Sequence, residues 1–172
     1  MLNQTDLRQA FDDHKHAVYD FALRMTGTPS TAEDISQDTF LELLRKPQSF
    51  DPARGTLRVF LIGVARNLVY RRWRTEQRFI PTDDLDDTPA ILPDPNASTI
   101  AETIRNAVQS LPPLQREAVL LFEYEGFTLE EIAAIANVET GTVKSRLHRA
   151  RTSLRLALAP LQNGVQPCLN KL

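Results

Sequence analysis

The chain reads as all-α: two small helical domains, an N-terminal bundle and a C-terminal helix-turn-helix unit, joined by a flexible acidic, proline-rich linker. Three observations predict this. Apolar residues recur at three- and four-residue spacing through most of the chain, and no run of strict two-residue alternation survives. Only 6 glycines occur in 172 residues, too few for the turns of a sandwich or barrel. Between the two helical halves, Pro81, Pro89, Pro93 and Pro95 sit among aspartates, a composition that favours extended chain over a packed element. The expected organisation is a first domain over 1–76, a linker over 77–97, a second domain over 98–160 and a tail over 161–172.

Each element follows from local signals. Leu7, Phe11, Val18, Phe21 and Met25 make one apolar stripe, predicting a first helix over about 5–26 that Gly27 and Pro29 end. Ser30 with Glu33 reads as a capping box opening a second helix, with Ala32, Ile35, Thr39, Phe40 and Leu43 inward and Pro47 as its stop. The stretch QSFDPARGT is a loop. A third helix over about 56–76 buries Leu57, Phe60, Leu61, Val64, Leu68 and Val69. Arg58, Arg66, Asn67, Tyr70, Arg71 and Arg74 fall off that stripe and form one basic face.

Beyond the linker, Thr99 and Glu102 make another capping box, with Ile100, Ile104, Ala107 and Val108 inward. Leu111-Pro112-Pro113 breaks that helix, and Pro113 suits the first position of the next, which stops at Gly126. Thr128 with Glu131 opens a short helix over about 129–136. Asn137-Val138-Glu139 is a tight turn, and a long basic helix runs from Thr140 to about Ala159.

The net charge of −2 hides strong segregation. Residues 54–78 hold Arg54, Arg58, Arg66, Arg71, Arg72, Arg74 and Arg78 against one acid, Glu76. Residues 82–102 hold acids and no base. Residues 141–155 hold Lys144, Arg146, Arg149, Arg151 and Arg155 and no acid. A near-neutral total therefore does not argue against nucleic acid, because phosphates meet local fields. Other classes are disfavoured. No apolar run is long enough to span a membrane, and the polar N-terminus lacks a secretory h-region, so a cytoplasmic setting is expected. A lone Cys168 excludes an internal disulfide and a multi-cysteine zinc site. Asp12, Asp13, His14 and His16 do not share one helical face, which argues against a metal. Glu33, Asp34 and Asp38 lack the facing acidic pair that a magnesium-dependent pyrophosphohydrolase needs. No cofactor, metal or small-molecule substrate is expected.

Two helices of unequal length joined by a tight turn form the helix-turn-helix pattern of DNA-binding proteins. Ile132, Ala133, Ala136, Val138, Val143 and Leu147 are placed to bury one core. Thr142, Lys144, Ser145, Arg146, His148 and Arg149 are expected to point outward, where such side chains donate to phosphates and base edges. The amino end of that helix adds backbone amides for a phosphate.

These residues also carry a family resemblance. LPPLQREAVLLFEYEGFTLEEIAAIANVETGTVKSRLHRARTSLR resembles the C-terminal helix-turn-helix domain of bacterial RNA polymerase sigma factors. TAEDISQDTF resembles their polymerase-contacting helix, and TLRVFLIGVARNLVYRRWR their promoter-melting helix. Order and spacing resemble the two-domain extracytoplasmic-function group, over roughly residues 5–160. The resemblance implies that Glu33, Asp34, Gln37, Asp38 and Glu42 dock on the coiled coil of the largest subunit of core RNA polymerase. It implies that Phe50 and Asn67 hold a base flipped from the minus-ten element, with Arg58, Arg66, Tyr70, Arg71 and Arg74 gripping the adjacent strand and duplex. Lys144, Ser145, Arg146, His148 and Arg149, with Thr142, would read the minus-thirty-five element. Residues near Leu121 and Phe122 would dock the flap tip of the second-largest subunit, and the acidic linker would thread toward the nucleic-acid channel. An anti-sigma factor is a candidate partner. The melting helix departs from the family pattern in carrying Phe60 where tryptophan is common and Arg71 where an acid is common. Weak binding to free DNA is expected, with the acidic linker covering the basic faces until polymerase displaces it.

Two alternatives keep the helix-turn-helix. One is a transcriptional regulator that acts without replacing a sigma factor. The other is a sigma-like mimic that occupies an anti-sigma partner, against which the intact basic faces count.

Overall fold

The computed structural model describes residues 4–76, 99–159 and 161. The linker and the tail with Cys168 therefore lie outside the described residues, as does the expectation that the linker covers the basic faces. The described residues are helical, without strands.

The first domain packs α1 (Gln4–Thr26), α2 (Pro29–Arg45) and α3 (Leu57–Thr75) around one core. Phe21, Met25, Leu43, Leu61 and Ile62 are its largest fully buried side chains. Each such burial is worth about 1.5–3 kcal/mol. The inward set foreseen for α2 is the buried one, and Thr39 satisfies its hydroxyl on the Ile35 carbonyl at 2.7 Å. Two expectations are corrected. Helix α2 opens at Pro29 with Thr28 in the capping position, so Ser30 and Glu33 form no capping box. Proline fixes φ and needs no amide partner, which sets the helix start ahead of the serine. Phe11 is 43% exposed, although its ring edge packs on Phe40 at 4.9 Å, and Ala10 takes the buried position beside it. Two 3₁₀ turns, Pro47–Ser49 and Pro52–Arg54, lead through Gly55 to α3, which Thr56 caps through Val59 N.

The second domain contains α4 (Ile100–Gln109), α5 (Pro113–Val119), α6 (Leu129–Ala136) and α7 (Thr140–Ala157). The Thr99–Glu102 and Thr128–Glu131 boxes both form reciprocally. Helix α5 continues through a π-helical turn, Leu120–Tyr124, closed by the Glu125 amide on the Leu120 carbonyl at 3.0 Å. Gly126 then takes φ +69°, a conformation that suits glycine, and reverses the chain into α6. Asn137 ends α6 at φ +54°, with the Val138 amide closing on the Ala133 carbonyl at 3.0 Å. This turn sets α6 against α7 over Ile132, Ala133, Val143 and Leu147, with Val138 half-buried. Ile100, expected inward, is 62% exposed. As the first residue of α4 it precedes the turn that Ala107 and Val108 bury.

The two domains are in contact. Helix α3 packs on α6, and α1 touches α4 and α5. Arg116 ties the domains from the α5 side. Its guanidinium donates to the Met25 carbonyl at the end of α1 (2.6 Å) and to the Gln109 and Leu111 carbonyls after α4. Gln109 in turn donates to the Arg24 carbonyl. Burial lowers the Arg116 pKa to about 10.

Candidate nucleic-acid and polymerase interface

The exposed side of α2 carries Glu33, Asp34, Gln37 and Asp38, with Glu42 half-buried at its edge. This side exists because Ala32, Ile35, Thr39, Phe40 and Leu43 use the other one. Leu41 and Leu44 are exposed beside the acids, so the face mixes carboxylates with apolar area, which suits a protein partner. Asp34 is engaged by Arg72 at 3.2 Å, and Arg72 also pairs with Glu76 at 3.0 Å. Those two carboxylates hold the Arg72 pKa above its ordinary value.

The loop before α3 and the middle of that helix form a cavity of about 320 Å³. Phe50 and Asn67 both line it, together with Asp51, Arg54 and Phe60. The Phe50 and Phe60 rings lie 5.6 Å apart, tilted by 58°. The structure thus brings together the aromatic ring and the amide that the sequence placed seventeen residues apart. It also adds an unforeseen wall, because Ala134 and Ile135 of α6 close one side.

The arginines of α3 do not form one solvent face. Arg71 and Arg74 are exposed, and Asn67 is exposed at the cavity mouth. Arg58, Arg66 and Tyr70 instead meet the second domain. Arg58 donates to the Glu125 carbonyl at 2.8 Å and to its carboxylate at 2.6 Å, and stacks over the Phe127 ring at 4.9 Å. Arg66 donates through Nε to Glu117 Oε1 at 2.9 Å, and the Tyr70 hydroxyl donates to Glu117 Oε2. Glu117 is only 1% exposed. Tyr70, expected on the solvent side, is buried because α5 covers it, with Trp73 packed edge-on at 5.4 Å. Burial and the Glu117 carboxylate push the Tyr70 pKa far up. Burial likewise raises the Glu125 pKa, against the pull of Arg58.

On α7, Lys144, Ser145 and His148 are exposed, and Thr142 and Arg149 are half-buried. Ser145 returns its hydroxyl to the Gly141 carbonyl at 3.1 Å. Arg146 corrects the expected outward set, being 5% exposed and near enough to Tyr70 to lower its pKa. Its place beside Val143, Leu147 and Ala150 puts it on the core side of the helix. Leu121 is fully buried, so of the pair expected at the surface only Phe122 is partly accessible, under the Arg151 guanidinium.

Sequence reasoning missed Glu117 and Glu125. The available signal was an acid set into the apolar stripe of α5 at Glu117, between Leu114 and Leu121, where solvent exposure does not explain a charge. No cluster of metal-ligating side chains occurs among the described residues, and no helix there is long and apolar enough to cross a membrane.

Comparison with known proteins matches this architecture to two family models in order, Sigma-70 region 2 over residues 10–79 and Sigma-70 region 4 over residues 101–154. The ECF RNA polymerase sigma factor SigL of Mycobacterium tuberculosis is 33% identical over 159 residues, covering 90% of each chain. The chain belongs to the ECF sigma factors of the sigma-70 family. A second ECF sigma factor, SigE of Mycolicibacterium smegmatis, is 39% identical over 154 residues, which are 85% of this chain and 59% of that one. Among solved structures, the sigma factor RpoE in complex with the anti-sigma factor NepR from Bartonella quintana aligns with a TM-score of 0.73 at 31% identity. That alignment covers 90% of this chain and 97% of RpoE, so it takes in both domains. In family terms, the acidic α2 face and the Phe50–Asn67 cavity lie in region 2, and α6–α7 is the helix-turn-helix of region 4.

Proposed function

We propose that this sigma factor binds core RNA polymerase and directs it to a set of promoters by divided recognition. Region 2 docks on polymerase through Glu33, Asp34, Gln37, Asp38 and Glu42, whose carboxylates and amide suit an arginine-rich partner. The Phe50–Asn67 cavity takes a base flipped from the minus-ten element, by stacking and edge hydrogen bonds. Arg58, Arg66, Tyr70, Arg71 and Arg74 hold the melted strand and adjoining duplex. Region 4 reads the minus-thirty-five element in the major groove with Thr142, Lys144, Ser145, His148 and Arg149. Arg146, being buried, supports that helix from behind. The chain contributes specificity and no catalysis, acts in the cytoplasm, and takes an anti-sigma factor as its regulatory partner.

The observation that carries this reading is the presence on one chain, in order, of region 2 with an aromatic–amide cavity and region 4 with an exposed basic recognition helix. Run-off transcription with purified core polymerase on a library of upstream fragments tests it. Initiation at a discrete set of start sites is expected. Failure to bind core, with sequence-specific binding to free duplex, would move the assignment to an ordinary helix-turn-helix regulator.

A further inference from the structure

On the polymerase and promoter reading above, we propose that Arg72 is contested between the two faces of region 2: it masks Asp34 on the polymerase side and, once displaced, takes a phosphate on the DNA side. Arg72 ties α3 to α2. Its Nη1 donates to Asp34 Oδ2 at 3.2 Å and its Nε to Glu76 Oε1 at 3.0 Å. Asp34 stands among the exposed acids of α2, and Arg72 is half-buried against it.

Its place on the helix lets one side chain serve both faces. Each residue turns an α-helix by about 100°. Arg72 therefore lies about that far round from Arg71, towards α2, whereas Arg71, Arg74 and Thr75 are exposed. A long flexible stem allows the guanidinium to lie on α2 or to swing back beside Arg71. Its planar fork fits a phosphate as well as a carboxylate.

The pair with Asp34 competes with docking. A polymerase arginine that forms a bidentate pair with Asp34 needs both carboxylate oxygens, and Arg72 already holds Oδ2. Arg72 also sets a like charge beside the incoming guanidinium. Displacing it costs little, because the two side chains are 38% and 61% exposed and such pairs are weak. Glu76, one turn further along, keeps the displaced guanidinium at the end of α3. The coupling is reciprocal by linkage: polymerase on Asp34 frees Arg72 for a phosphate, and a phosphate on Arg72 frees Asp34 for polymerase. A bond that merely positioned Asp34 would give the opposite sign, since losing Arg72 would then weaken docking.

A double-mutant cycle of Asp34→Asn and Arg72→Gln in the full chain tests this, with circular dichroism checking that the helices remain. The two readouts are equilibrium capture of core polymerase, and anisotropy of a labelled mixed-sequence DNA strand of about 20 nucleotides on the chain without polymerase. Arg72→Gln is expected to tighten core binding about threefold, the scale of one exposed ion pair, and only while Asp34 is present. Asp34→Asn is expected to tighten strand binding about threefold and to steepen its salt dependence by about one phosphate contact. That gain should vanish in the double variant, whereas simple loss of a negative charge would preserve it. The proposal is overturned if Arg72→Gln weakens core binding or leaves it unchanged, or if the gain from Asp34→Asn persists without Arg72. Core capture by Asp34→Asn alone is scored separately. Capture at the wild-type level would remove the polymerase reading of α2, while the strand arm, which contains no polymerase, would still decide whether Asp34 and phosphate contest Arg72.

Discussion

Helices α3 and α7 begin as equals. Each carries a run of basic residues on a helix whose other side is core, and neither contains an acid within its own length. Yet α7 leaves Lys144, Ser145 and His148 to solvent, whereas α3 gives Arg58, Arg66 and Tyr70 to carboxylates of the other domain. The difference lies in what each helix is packed against. The outer side of α7 stays exposed, but the α5–α6 corner, which carries Glu117 and Glu125, covers the part of α3 that holds Arg58, Arg66 and Tyr70. A basic helical face therefore announces an anion, and the first anion to reach it here is part of the same chain.

The comparison can be broken most forcefully through the core behind α7. Ile132→Ala should cost about 2–5 kcal/mol in urea unfolding, because it empties the contact that sets α6 against α7. Next, the two arginines of α7 should part company. Arg149→Ala should weaken holoenzyme binding to the minus-thirty-five element by about 1–3 kcal/mol if it reads a base, with little change in melting temperature. Arg146→Ala should instead lower the melting temperature of the free protein, since a buried side chain is removed. Equal melting temperatures for the two variants would contradict the inward placement of Arg146.

Acid should act on the fold through Glu125. Burial raises the Glu125 pKa against the opposing pull of Arg58 and Arg24, with Asp20 adding to the rise. A carboxyl whose pKa is higher in the folded state binds protons preferentially there. The fold therefore gains stability as pH falls through the raised value, and the gain levels off below the ordinary glutamate value of about 4.3. His14 works the other way. Its pKa is lowered by burial, so the folded state loses stability as pH falls through the ordinary histidine range. Comparing the wild type with Glu125→Gln separates the two, because only the Glu125 component disappears in the variant. The smallest expected structural effect is at the α2 surface. Asp34→Ala removes an exposed ion pair with Arg72, worth about 0–1 kcal/mol to the fold, but should weaken capture of core polymerase in a pull-down.

What was legible in the sequence was local. The Thr99–Glu102 and Thr128–Glu131 boxes, Pro113 at a helix start and the inward face of α2 all depend on residues within one or two turns. The Ser30–Glu33 box failed for an equally local reason, a proline one residue upstream that starts the helix itself. Phe50 and Asn67 could be joined by family resemblance, and the fold does place them in one cavity. The fate of Arg58 and Tyr70 was not legible, because their partners lie 67 and 47 residues away along the chain. Periodicity assigns a residue to a face of its helix, but it carries no information on which distant element covers that face. Arg146 was misplaced for a related reason: a long cationic side chain on the edge of an apolar stripe was read by its charge, while the fold buries it beside Val143, Leu147 and Ala150 and near Tyr70.

The most direct test of the contrast between the two basic helices is energy transfer between dyes at positions 8 and 155, read in the free protein and again after core RNA polymerase is added. High transfer in the free protein that falls on binding core, with strand DNA gaining access to α3 at the same time, is the expected result. Transfer that is already low in the free protein, or that stays high in a holoenzyme able to initiate transcription, would contradict it.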